Sequence, residues 1–215
     1  MSCDKKARLP AGADSENIPS GDDKKEYSDS IFDGLMLKDR TVACKYFSGC
    51  VFRNCDLTGV TFRFCRFSDC RFESSNLSLV RVPGTVFSGV SFKDSKLVGV
   101  NWTEASWPKI RLAVPFSFVN CLLNASNFLG LTLDGIRMTG CLAKEADFRD
   151  ANLSRSDLAN TDLSGSLFGN TDLTGADLSL ARNYTIRISQ NRIKDAKFSM
   201  PEAMALLYCL DIKIV

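Results

Sequence analysis

From Phe32 onward an apolar residue returns at every fifth position. The series runs Phe32, Leu37, Val42, Phe47, Phe52, Leu57, Phe62, Phe67, Phe72, Leu77, Val82, Phe87, Phe92, Leu97, Trp102 and Trp107. It then slips by one residue and resumes as Phe118, Leu123, Phe128, Leu133, Met138, Ala143, Phe148, Leu153, Leu158, Leu163, Phe168, Leu173 and Leu178. A helix repeats at 3.6 residues and a strand at 2, so a period of five excludes ordinary amphipathic elements over about two-thirds of the chain. A fixed self-similar period marks a repeat architecture.

The five positions differ in character. Two residues before the apolar centre the side chain is small or β-branched, and Cys50, Cys55, Cys65, Cys70, Cys121 and Cys141 all fall there. Two residues after the centre, eleven of the fourteen glycines collect, which predicts a corner with an unusual φ. A second period of twenty is also present. Phe47, Phe67 and Phe87 obey it, as do Phe52, Phe72 and Phe92, Leu57, Leu77 and Leu97, and Phe128, Phe148 and Phe168. Four pentapeptides therefore close one turn, and these core columns stack like on like, roughly 4.8 Å apart as in parallel strands. Phe67 should be enclosed by Phe47 and Phe87. The chain is expected to be a four-sided all-β coil.

Segments such as Ala146-Asp147-Phe148-Arg149-Asp150, Ala151-Asn152-Leu153-Ser154-Arg155 and Ala176-Asp177-Leu178-Ser179-Leu180 match an A(D/N)LXX pattern. On these residues the chain resembles the pentapeptide-repeat family. The resemblance covers 30–180 and implies a right-handed quadrilateral β-helix of about seven coils. Within the family it points to the quinolone-resistance and microcin-immunity members, which are linked to DNA gyrase, although this chain lacks the longer projecting loops of many gyrase-directed members.

The flanks are read separately. Residues 1–29 show no apolar period and are expected to be a flexible tail. Pro108 and Pro115 bracket the frame slip at 108–117, where a bulge or bent coil is expected. Residues 181–215 lose the period and are expected to cap the solenoid, with a helix over 200–209 and a short extended end. Ser199-Met200-Pro201-Glu202 reads as a capping box with proline in the first turn. Met204, Leu207, Leu210, Ile212 and Ile214 are the apolar residues that would cover the open last coil and join two copies as a homodimer.

Composition narrows the function. There is no histidine, no CxxC pair, no phosphate-binding loop and no nucleophile elbow, so neither a metal site, a cofactor nor catalysis is expected. The inward cysteines read as core filler in a reducing cytoplasm, and Cys50 with Cys70, or Cys121 with Cys141, would stack within disulfide range. No run of eighteen apolar residues is present and no secretory signal is expected.

Charge divides the rod. Residues 31–107 hold ten basic and seven acidic residues, whereas 118–178 hold four basic and eight acidic. Arg53, Glu73 and Lys93 should form a plus–minus–plus ladder. Direct nucleic-acid binding is not expected, because the Phe residues are centres facing inward and leave the arginines without exposed rings. The expected function is protein–protein interaction. Asp157, Asp162, Asp177, Asp147 and Asp172 would form a partial DNA mimic, with a type II topoisomerase as the partner that the resemblance implies. On this view Asp157, Asp162 and Asp177 point outward, and reversing them to lysine should leave the melting temperature nearly unchanged. The alternative is a rigid interaction scaffold with no link to gyrase.

Overall fold

The computed structural model describes residues 25–107 and 116–210. Each pentapeptide contributes a short extended segment and a corner, and four of them close a turn of a β-helix of about eight turns. One wall stacks Glu26–Ser28, Tyr46–Ser48, Arg66–Ser68 and Val86–Ser88 in parallel. Another stacks Ile31–Asp33, Val51–Arg53, Arg71–Glu73, Val90–Lys93, Phe116–Val119 and Arg137–Thr139. The third begins with Thr41–Ala43 on Thr61–Arg63. The fourth is held by single bridges such as Asp56 to Asn76 and Leu142 to Asp162. Segments this short suffice because every coil pairs with the one above and the one below.

The centres fill the axis. Phe52 lies 4.6 Å from Phe72 and Phe72 lies 5.0 Å from Phe92, ring on ring, while Phe67 lies 4.8 Å from Phe47 and 5.5 Å from Phe87. Phe128, Phe148 and Phe168 stack at 5.2 and 5.4 Å. All twelve column residues named above, Leu57, Leu77 and Leu97 included, are buried. Neighbouring columns meet edge to face, as with Phe62 and Phe67 at 5.1 Å, an arrangement that adds to plain area burial.

The corners explain the glycines. All eleven in the expected slot have positive φ, for example +63° at Gly49 and +65° at Gly84. That left-handed region costs a side chain roughly 1–2 kcal/mol and costs glycine nothing comparable. Where glycine is absent, Asp or Asn often takes the corner, as at Asn54, Asp69 and Asn120. Phe64, Leu79 and Leu180 occupy it too, and all three are exposed.

The six inward cysteines are buried free thiols. They work beside buried hydroxyls in one bonding scheme. Ser75 Oγ accepts the Cys55 N–H at 3.0 Å and donates to the Phe52 carbonyl at 3.3 Å. Cys55 Sγ donates to the Phe32 carbonyl at 3.5 Å. A small side chain with a donor and an acceptor is therefore useful at this slot, and Cys, Ser and Thr recur there. Cys44 sits at a corner instead and is exposed.

Several boundaries differ from the sequence reading. The solenoid begins at Glu26, not at 30, because Tyr27 is a further centre, buried and stacked 5.2 Å from Phe47. It also continues past 180. Ile188, Ile193 and Phe198 pack against the core, and Lys197–Phe198 pairs with Asp177–Leu178. The slip is larger than one residue. Phe92 pairs with Phe118, a step of 26 where Phe72 to Phe92 steps 20, so this coil carries six extra residues. Phe116, buried, enters the axis 5.1 Å from Phe87, while Trp107, read as a centre, is half-buried and donates from Nε1 to the Trp102 carbonyl. The expected bulge at Pro108 and Pro115 and the extended end 211–215 lie outside the described residues, as does most of the expected tail.

The C-terminal helix is present as a 3₁₀ helix over Glu202–Leu210. The capping box is not used as expected: Ser199 Oγ accepts the Leu180 N–H at 3.1 Å and ties the helix entry to the preceding coil. No helix among the described residues is long and apolar enough to cross a membrane.

Candidate functional site

The five candidate aspartates precede centres, and the backbone claims each of them first. Asp147 Oδ1 accepts the Arg149 N–H at 3.1 Å, Asp157 that of Ala159 at 3.2 Å and Asp162 that of Ser164 at 3.1 Å. Asp172 and Asp177 do the same for Thr174 and Ser179 at 3.0 and 2.9 Å. A carboxylate that bonds the N–H two residues on is a brace for its own turn. Asn76, Asn127 and Asn152 make the same bond without charge, so the pattern serves the corner before it serves any partner.

Cations then take the remaining oxygens. Asp147 pairs with Arg149 at 2.7 Å, Asp157 with Arg137 at 3.9 Å, Asp172 with Arg192 at 3.5 Å and Asp177 with Lys197 at 3.6 Å. Asp162 faces Lys144 at 3.9 Å and Arg182 at 3.5 Å. Asp157 and Asp177 do stack one coil apart, as the sequence implied, yet Arg137 lies below them and Lys197 above. Arg182, Arg192 and Lys197 belong to a further coil beyond residue 180, stacked on Asp162, Asp172 and Asp177. From Phe116 to Phe198 the chain carries nine acids and nine bases, so the acidic half is compensated by its own last turn.

Asp162 departs most from the outward placement expected of it, being only 6% exposed. Burial alone would raise its carboxyl. Hydrogen bonds from the Ser164 hydroxyl and the Asn183 amide, with the Lys144 charge, overcome that and hold it at about 2. Asp147 is lowered first by Arg149, Asp172 by Thr174 and Asp177 by Ser179.

The earlier coils are arranged differently. Arg53, Glu73 and Lys93 stack in register as expected, but Glu73 is shared by Arg53 at 3.2 Å and Arg71 at 3.7 Å. Arg63, Arg66, Lys93 and Lys96 have no ion pair among the described residues. Two exposed aromatics also lie here, Phe64 at 60% and Tyr46 at 44% exposure. The reading of inward centres missed both, since neither is a centre. Phe64 stands in the corner slot where glycine or aspartate is usual, and inspection of that slot would have singled it out.

At the C-terminal end Leu206 is buried and Ala205 packs on the core. Met204 and Leu207 are half-buried and Leu210 is exposed. Ile212 and Ile214 lie outside the described residues.

The comparisons agree with this architecture. Residues 45–114 match a pentapeptide repeat region and residues 144–182 match pentapeptide repeats, together just over half the chain. The chain belongs to the pentapeptide-repeat family. The structure is similar to that of a trypsin-treated point variant of QnrB1, a plasmid-mediated fluoroquinolone resistance protein, with TM-score 0.64 and 18% identity over 88% of this chain and 90% of that one. A second trypsin-treated QnrB1 variant gives 0.57 and 18%, over 86% and 100% of the two chains. HetL, involved in heterocyst differentiation regulation in Nostoc sp. strain PCC 7120, gives 0.42 and 18%, over 84% and 93%. No curated protein sequence matches the chain significantly.

Proposed function

We propose that the chain is a non-catalytic rod that binds a protein partner along its walls. The observation that carries this reading is the filled axis. Catalytic and small-molecule sites are clefts of roughly 300–1,000 Å³ with convergent polar groups. The cavity that Phe62, Val82 and Trp102 help to line is about 10 Å³, room for one water at most. What the rod offers a partner is flat wall, with side chains at coil spacing. The six buried free thiols suit a reducing cytoplasm.

Likeness to QnrB1 and the family resemblance make a type II topoisomerase, DNA gyrase in bacteria, the first partner to assay. Supercoiling by gyrase should change, or its inhibition by a quinolone be relieved, at micromolar excess of the full chain. No effect on either would remove gyrase and leave the scaffold reading. Mimicry of duplex DNA by Asp147, Asp157, Asp162, Asp172 and Asp177 is the second reading, favoured by Asp157 stacked on Asp177. It asks for uncompensated charge, whereas Arg137 and Lys197 flank that pair, so the mixed-charge rod stands first.

The C-terminal element supports a homodimer. Leu210 and Met200 are exposed, with half-buried Met204 and Leu207 on the same short segment. Sedimentation of the full chain should show a dimer that Leu210→Asp dissociates. A chain that stays monomeric at high micromolar concentration would end this part of the proposal.

A further inference from the structure

We propose that the corner formed by Tyr46, Arg63, Phe64 and Arg66 binds single-stranded nucleic acid. Phe64 holds a left-handed φ of +53° and is 60% exposed. The ring lies over Gly84, where any Cβ would collide with it, and the Arg63 guanidinium stands 6.0 Å from its centroid. Around the corner Arg66 pairs in register with Tyr46, so a cation and a second exposed ring sit one coil apart. Neither Arg63 nor Arg66 has an ion pair among the described residues.

The surrounding surface fits a phosphodiester better than a protein. Ser48, Ser68 and Ser88 form a hydroxyl ladder beside the ring and the guanidinium, and hydroxyls are ordinary phosphate donors. From Tyr46 to Ser88 that wall carries no carboxylate. The acids around it are Glu26 below Tyr46, Asp29 and Asp69 at the far corner, and Glu104, which pairs with Arg81. Two rings set among cations and hydroxyls are what a strand of bases and phosphates requires. The centre of a protein interface instead needs apolar neighbours that exclude water, and here the neighbours are Ser and Arg. Phosphates would lie on Arg63, Arg66 and the serines, with bases stacked on Phe64 and Tyr46.

The test is fluorescence anisotropy with the full chain and fluorescein-labelled oligo-dT and oligo-U of about 20 nucleotides. Saturable binding of either supports the proposal, and the tighter of the two identifies the sugar. Affinity should fall with salt at a log–log slope of about −1.4, the value for two phosphates on a single strand. Phe64→Gly should weaken binding at least about fivefold, the lower bound for one stacked base. Because glycine is at ease in a left-handed corner, that variant should melt no lower than the parent. Arg66→Gln should weaken binding and flatten the salt slope, and Arg53→Gln on another wall should do neither. Three results would overturn the proposal. One is no saturable signal at about 100 µM protein in low salt. Another is parental binding by Phe64→Gly. The last is binding of labelled polyglutamate as tight as that of the oligonucleotides, which would assign the corner to an acidic protein.

Discussion

The coils before the six-residue insertion and those after it reach the same four-walled section with a different mix of bonds. In the earlier coils three inward-slot N–H groups are taken by a hydroxyl one coil on, Cys55 by Ser75 at 3.0 Å, Ser75 by Ser95 at 3.1 Å and Cys65 by Thr85 at 3.2 Å, while others, such as Val60 and Val80, turn back to the carbonyls of the preceding centres Leu57 and Leu77 at 3.1 and 3.2 Å. In the later coils the turn back to the preceding centre predominates, as Ala151 does to the Phe148 carbonyl at 3.2 Å and Ala176 to that of Leu173 at 2.9 Å, and Cys141 and Ala146 keep a hydroxyl partner in Thr161 and Ser166. Alanine suffices once the turn closes itself. Among the described residues the earlier walls carry three ion pairs and the later seven, so earlier cations such as Arg63 and Arg66 are freer for a partner while the later ones tie coil to coil. The period of five sets the section, and the corner residues set how each coil is fastened and what its walls offer.

The sharpest break of this comparison lies in the core. Phe67 is fully buried between Phe47 and Phe87, and Phe67→Ala should cost about 3–5 kcal/mol in denaturant unfolding. A loss below about 1 kcal/mol would mean that the columns do not carry the earlier coils. The next effect separates the two fastening schemes. Ser75→Ala strands the buried Cys55 N–H and should cost about 1–3 kcal/mol. Ser156→Ala should cost less, because Ser156 Oγ serves only the Leu133 carbonyl at 3.3 Å while the Ile136 N–H closes its own turn to that same carbonyl at 3.0 Å. Equal losses would erase the distinction. The smallest effect is at the exposed Lys197–Asp177 pair, where Lys197→Gln should cost no more than about 1 kcal/mol and less in high salt.

Acid should tell the halves apart. A carboxyl whose folded pKa lies below its unfolded value contributes stability above the unfolded value and loses it as pH falls through the folded one. Asp162, held at about 2, should therefore stabilise the later coils above pH about 4 and cease to do so as pH falls towards 2. Asp147, Asp172 and Asp177 are lowered in the same sense. Hydrogen exchange between pH about 4 and 2 should show the later coils opening before the earlier ones. The reverse order would contradict the stabilising role given to these carboxylates.

Much of this was legible in the residues because the period is physical. An inward centre must be apolar and a left-handed corner favours glycine, so the columns and the eleven corner glycines could be read directly. Three things were hidden. Counting in fives cannot see a whole added pentapeptide, so six extra residues read as a slip of one. Asn183 stands where the next centre should be, in a left-handed conformation at φ +59°, while Tyr184 turns inward beside it, and the last coil seemed to dissolve. With that coil unread, the cations that answer Asp162, Asp172 and Asp177 were unread too, and the later half looked more acidic than it is. Phe64 escaped because an aromatic in a repeat of aromatic centres invites the assumption that it faces inward.

The later aspartates fasten the rod rather than stand free on it. Thermal melting of the triple variant Asp157→Lys, Asp162→Lys, Asp177→Lys tests this most directly. Each substitution removes a turn brace and sets a cation beside a cation, and at Asp162 the change is buried. Tm should fall by at least about 6 °C. A shift below about 1 °C would show the carboxylates to be free surface charge and would contradict their fastening role.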